Sequence, residues 1–135
     1  MDAGQALRAA IYARLAGDAV LIDRLGGARI YDRPPRAAAH PFVAFGDASD
    51  RRLDGDLPPM SEHRVALEVR STSHGRKQAA ELAERIETLL IGAALALDGH
   101  RLVSLSLVDR ATRFASDRKS VLAVLRLRAV TEPVQ

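Results

Sequence analysis

Residues Glu62 to Arg70 alternate strictly in character. His63, Val65, Leu67 and Val69 fall on one side, and Arg64, Ala66, Glu68 and Arg70 on the other. Side chains of an extended strand point alternately to opposite faces, so this segment is a strand with one buried face and one wet or partner-facing face. The buried face needs a cover, and the next segment supplies one. Ala79, Leu82, Ala83, Ile86, Leu89, Leu90, Ala93 and Leu97 recur at helical spacing, with Arg76, Lys77, Glu84, Glu87 and Thr88 on the opposite side. The spacing predicts a helix from about Gly75 to Leu97, with Ser73 as a candidate cap. Its last turns, IGAALAL, carry no charge and belong either in the core or against another subunit.

The remaining segments fit around this pair. Asp2 and Gln5 form a capping pattern for a first helix whose Leu7, Ile11 and Leu15 share a face, and Gly17 ends it. Asp18 opens a short second helix through Val20, Leu21 and Leu25. Gly26 and Gly27 stop it, because glycine accepts the left-handed backbone of a helix end. Arg29 to Asp32 reads as a short extended piece, broken off by Pro34 and Pro35. Phe42 to Gly46, bounded by Pro41, reads as a strand. Asp47 to Pro59, DASDRRLDGDLPP, reads as a long exposed loop. Leu102 to Asp109 is a strand with Val103, Leu105 and Leu107 on one face and Ser104 and Ser106 on the other. Ala115 to Ser120 is a turn, and Val121 to Val130 is the last strand. These elements predict an α+β fold, a mainly antiparallel sheet of about four strands with helices packed on one side, in a single domain over residues 1–135.

Composition narrows the function. Hydrophobic residues make up 47% and charged residues 27% of the 135, with no apolar run long enough for a bilayer, so no membrane partner is expected. Met1 to Gly4 carries Asp2 and no basic stretch, which does not read as a secretory signal; the expected location is the cytoplasm unless the protein is packaged in a particle. The absence of cysteine removes disulfides, thiolate metal sites and cysteine nucleophiles. Without Trp, and with two Tyr and three Phe, the chain is poorly equipped to stack bases. The net charge of +3 comes from 20 basic and 17 acidic residues scattered along the chain, not gathered into a stripe.

Nothing in the sequence points to catalysis. His40, His63, His74 and His100 show no metal-ligand spacing, and His63 reads as a packed or surface residue of its strand. Asp47, Asp50, Asp54 and Asp56 do not follow the calcium-loop pattern. Phosphate-loop, dinucleotide and nucleophile-elbow signatures are missing. No enzyme activity and no cofactor are expected.

The ordered series of small signatures goes further. ALRAAIYARLAGDAVLIDRLGG is followed by RIYDRPP and HPFVAFGD. Then come SEHRVALEVRSTSHGRKQAAELAERIETLL, DGHRLVSLSLVDRATRF and VLAVLRLRAVTE. This series resembles the tail-terminator, or tail-completion, family of small tail components from long-tailed phages and gene transfer agents. The resemblance covers nearly the whole chain. It departs where the family often has an aromatic residue and this chain has Arg70.

The resemblance implies a tail-terminator-like fold and a structural virion protein. Such a protein forms a ring, commonly a homohexamer, that caps the head-proximal end of the tail tube, ends tube polymerisation and joins the tail to the head connector. Its expected partners are further copies of itself, the tail tube protein, the head-tail connector or stopper protein, and DNA passing non-specifically through the ring. The expected location is the virion tail, assembled in the host cytoplasm. A ring needs two different patches that meet between copies. Leu122, Val124 and Val130 are the candidate subunit interface. Asp47, Asp50, Arg51, Arg52, Asp54 and Asp56 are the candidate partner-docking loop. Arg126 and Arg128 are candidates for the channel wall. The alternatives are a head-tail adaptor or other minor tail protein, a small hydrolase, and a small nucleic-acid-binding module.

Overall fold

The structure, a computed structural model, describes residues 1–53, 55, 59–72 and 75–134. Helix α1 covers Ala3–Ala16, and the Asp2 carboxylate accepts the Gln5 N–H at 2.8 Å, as the capping pattern required. Helix α2 covers Ala19–Leu25; the Asp18 carboxylate accepts the Leu21 N–H at 2.9 Å, and Gly26 closes the helix at φ 81°. Strands β1 (Ile30–Tyr31), β2 (Phe42–Leu53) and β3 (Met60–Ser71) follow, then helix α3 (Lys77–Leu90) and strands β4 (His100–Phe114) and β5 (Val121–Pro133).

The sheet order is β1-β2-β3-β5-β4. It therefore has five strands, not about four, and it is mixed, since β1 runs parallel to β2 while all other pairs are antiparallel. The segment from Asp32 to Pro41, broken by three prolines, carries the chain back so that β2 sets off beside β1 in the same direction.

Three element boundaries differ from the sequence reading. The expected loop at Asp47 is strand: β2 runs on to Leu53 and pairs residue by residue with β3 down to Leu53↔Met60. Ala48–Leu53 lies largely exposed, so neither face needs apolar residues and no alternation marks the strand. A bulge between Phe45 and Ala48 also breaks the period. A Cβ on Gly46 at this bulge would come within 2.8 Å of the Glu68 carboxylate, so a side chain there would push Glu68 aside. Helix α3 stops at Leu90, because Gly92 turns the backbone to φ 84°. Beyond it Ala93, Leu95 and Leu97 are half-buried in alternation with exposed Ala94 and Ala96, so IGAALAL is mostly extended chain laid against the core. Strand β4 is longer at both ends than expected. Bulges between Leu102 and Ser104 and between Leu107 and Asp109 leave Val103 and Val108 exposed, so Leu102, not Val103, shares the core side with Leu105 and Leu107.

All three helices cover one face of the sheet. Val43, Val65, Leu67, Val69, Ala123, Leu125 and Leu127 meet Leu7, Ile11, Leu82 and Ile86 there in one apolar cluster. The other face carries the second side-chain set of β3 and β5 and is left without a helix.

Candidate functional site

The helix-free face is the wet or partner-facing side that the alternation of β3 required. Across β3 and β5 the facing pairs are Glu62↔Val130, Arg64↔Arg128, Ala66↔Arg126, Glu68↔Val124 and Arg70↔Leu122. Strand β4 adds Asp109 beside Arg126 and Arg113 beside Leu122. Two arginines directly opposite repel unless an acid lies between them. Glu62 supplies it, accepting from Arg128 at 2.7 Å and Arg51 at 3.3 Å and lying 3.6 Å from Arg64. The hydrogen bond from Arg128, ahead of the other arginines, holds the Glu62 carboxyl below the usual carboxylate range. Arg126 pairs with Asp109 at 2.9 Å, Arg70 with Glu68 at 3.6 Å, and Arg101 with Glu132. Six arginines (Arg51, Arg64, Arg70, Arg101, Arg126, Arg128) thus share four carboxylates (Glu62, Glu68, Asp109, Glu132), while Arg113 and Asp47 stand on the same face. One carboxylate serves three of them, and no ion pair forms at Arg113 among the described residues.

A groove of about 350 Å³ crosses this face between the two bulged regions. Ala66, Leu122 and Val124 give it an apolar floor, and Val108 from the β4 bulge forms a lip. Arg64, Arg113 and Arg126 stand around it, with Asp47 and Glu68.

The sequence-derived site residues separate into three groups. Arg126 and Arg128 lie together on the open face, each tied to an acid. Of the apolar trio on β5, Leu122 and Val130 are already buried within the single chain at 4% and 7% exposure, while Val124 is half-buried in the groove. The docking residues Asp47, Asp50, Arg51 and Arg52 lie on strand β2, not in a loop; Asp54 and Asp56 lie outside the described residues.

Asp50 has a specific task that the sequence did not reveal. Its carboxylate lies 2.7 Å from Nδ1 of His63, whose Nε2 lies 2.8 Å from Oγ1 of Thr131. In the neutral ring Nδ1–H donates to Asp50 and Nε2 accepts the Thr131 hydroxyl. His63 is 1% exposed, so both ring nitrogens needed partners. The only sequence signal was a histidine at a core-facing position of the alternation. Its partners sit across a hairpin and 68 residues away, beyond any local pattern. Carboxylate, imidazole and hydroxyl stand in the order of a nucleophile relay. However, Thr131 is 1% exposed and its hydroxyl is spent on the ring, which leaves no open side for a substrate. The cluster is a polar tie between β2, β3 and β5. Helix α1 packs on it so closely that a Cβ on Gly4 would come within 2.6 Å of Asp50 Oδ1.

Comparison with known proteins agrees with this geometry. The family described as "Tail completion protein gp17" matches residues 9–132. A protein chain from the virion of a native gene transfer agent particle superimposes with a TM-score of 0.87 at 29% identity, covering 98% of this chain and 99% of that one. The gp17 protein of bacteriophage SPP1 superimposes with a TM-score of 0.67 at 18% identity, over 98% and 91% of the two chains, and shares the fold. Comparison with curated proteins gave no match. An alignment over residues 9–132, across every element from α1 to β5, means that the chain belongs to the tail completion protein gp17 family.

Proposed function

We propose that this tail completion protein forms a ring at the head-proximal end of the tail tube, stops tube growth there and joins the tail to the head-side connector. The observation that carries this reading is the full-length likeness to a chain of an assembled gene transfer agent virion, with nearly all of both chains aligned. A virion location in the tail follows from the same reading. The role is structural rather than catalytic: in the one carboxylate–imidazole–hydroxyl set described, the imidazole and the hydroxyl are buried and bonded to each other. Of the β5 residues assigned to the contact between copies, Val124 keeps surface to give. The residues first assigned to the DNA passage, Arg126 and Arg128, would touch phosphates without reading bases.

Purified tail tubes provide the test. Adding this chain to polymerising tube protein is expected to cap the tubes and end their growth. Continued growth to uncontrolled length in the presence of excess folded chain contradicts the reading. Replacing residues 54–59 by a short Gly-Ser linker is expected to abolish tail joining with the fold intact; normal particles from that variant remove this segment from the joining surface.

A further inference from the structure

The sheet has two free edges. On one side β1, two residues long, pairs only with Val43 and Ala44 of β2, so Asp47–Arg51 has no strand beside it among the described residues. On the other side β4 is the outermost strand. Its bulges lie before Asp109, and Asp109–Phe114 pairs with β5 without interruption. Both segments are exposed, apart from the half-buried Thr112. An unpaired strand edge is a template for another strand.

The backbone groups of the two edges are in phase. The Val43 N–H points outward, since it donates to the Arg29 carbonyl on the β1 side. Successive residues of a strand turn their N–H and C=O to opposite sides. Val69, which faces Val43, therefore bonds toward β5, and so do Val65 and His63. Ala48 and Asp50, opposite Val65 and His63, are left with their N–H and C=O on the free edge. Carried across β5, the same alternation bonds Leu122, Val124 and Arg126 to Arg113, Ala111 and Asp109 of β4. Arg110 and Thr112 then point outward. Each pair along β2-β3-β5-β4 is antiparallel, so β4 runs opposite to β2. A second copy, rotated about a ring axis along the strands, keeps its strand sense and lays its β2 antiparallel to this β4.

We propose that Asp109–Arg113 of one copy pairs antiparallel with Asp47–Arg51 of the next, Thr112 opposite Ala48 and Arg110 opposite Asp50, so that the sheet continues from copy to copy. The inference rests on the ring reading above and names the edges that meet. In this register the outward backbone groups coincide. Asp47 faces Arg113 and Arg51 faces Asp109 on the open side, while Asp50 faces Arg110 on the helix side. Neither Asp47 nor Arg113 has an ion pair of its own among the described residues. Asp109 then lies between Arg126 of its own copy and Arg51 of the next. Opposite charges across a strand pair stabilise it and like charges repel. Slipping the pairing by two residues either way loses all three Asp–Arg pairs, and one of the slips sets Arg52 against Arg110. The two edges are different patches, and each copy carries one of each, as a head-to-tail ring requires.

Light scattering on four variants tests this. Thr112→Pro removes an outward N–H and no bond to β5, a position where an edge strand tolerates proline. Asp47→Arg with Arg51→Asp reverses the β2 edge, and Asp109→Arg with Arg113→Asp reverses the β4 edge. The fourth variant carries all four charge changes. Each of the first three is expected to associate at least about tenfold more weakly than the parent chain, through a lost backbone bond or two repulsive pairs. The fourth, in which opposite charges meet again, is expected to regain the parent mass. Should a reversal fail to fold by circular dichroism, Thr112→Pro and the milder Arg113→Gln decide. Masses unchanged in Thr112→Pro and the single-edge variants leave the ring reading standing and overturn the edge pairing. If the parent chain is monomeric, the same variants are compared in capping purified tail tubes. Capping lost in the first three and regained in the fourth supports the pairing; capping equal to the parent's in the first three overturns it. A parent chain that neither associates nor caps overturns both readings.

Discussion

Asp18 joins two structural roles in one carboxylate. It caps α2 through the Leu21 N–H and receives Arg85 of α3 at 2.7 and 3.0 Å. The Arg85 hydrogen bond, above all, holds its carboxyl below the usual range. A lowered folded value means that the stabilisation is complete above the unfolded value of about 3.9 and is lost as pH falls through the folded value. Asn still caps a helix, so Asp18→Asn isolates the charge. In urea unfolding over a pH series, the deficit of Asp18→Asn is expected to be full near neutrality and to shrink below about pH 3.5. Asp18→Ala also loses the cap, at a further cost of about 1 kcal/mol. His63→Ala strips both partners and leaves Thr131 buried without its acceptor, for a loss of about 2 kcal/mol or more in the same measurement; Asp50→Asn keeps an acceptor for Nδ1–H and should cost less. Gly4→Ala would ordinarily strengthen a helix by about 1 kcal/mol. Because the new Cβ would displace Asp50 from His63, this substitution is expected to lower the melting temperature instead.

The contrast between α3 and β4 shows how elements here divide between core and surface. Leu82 and Ile86 of α3 sit at 2% and 0% exposure against the sheet. Truncating either to Ala is expected to cost about 2–5 kcal/mol. Val103 and Val108 are equally apolar, but bulges turn them out to 42% and 49% exposure. Val103→Ser should therefore stay within about 0.5 kcal/mol of the parent chain by denaturant unfolding, even though alternation alone counts Val103 as core. Strand β4 is also an outer strand of the sheet, and bulges of this kind are among the devices that twist such edges away from unwanted pairing.

In the molecule as a whole, the two sheet faces differ. One is filled by three helices and sets stability; the other is wet, rich in arginine and grooved. If copies meet through this face, its ion pairs are weakened by salt and its apolar floor is spared. Light scattering at fixed protein concentration is expected to show the associated mass falling as ionic strength rises from about 0.05 to 0.5 M, without complete dissociation at the upper end. An associated mass that is constant over that range contradicts an ionic contribution to the contact.

Local chemistry was enough for much of this protein. Asp2, Asp18 and Gly26 announced the ends of α1 and α2, because caps depend on neighbours three residues away. The alternation at Glu62–Arg70 and the stripe of α3 identified the pair that builds the core, because burial on one face imposes a period. The ordered signatures from α1 to β5 pointed to the tail-completion family, which the match over residues 9–132 bears out. Tertiary structure decided what period cannot carry. Residues Asp47–Leu53 are strand because β3 offers them a backbone partner, a fact with no trace in side chains exposed on both faces. Helix α3 ended at Leu90, ahead of Gly92, and Ala93, Leu95 and Leu97 change from a helical to a two-residue period, a signal present in the sequence but hidden by uniformly apolar composition. The Asp50–His63–Thr131 tie, the sharing of Glu62 by three arginines and the groove all arise between residues far apart in the chain. Only the register of the sheet brings them together.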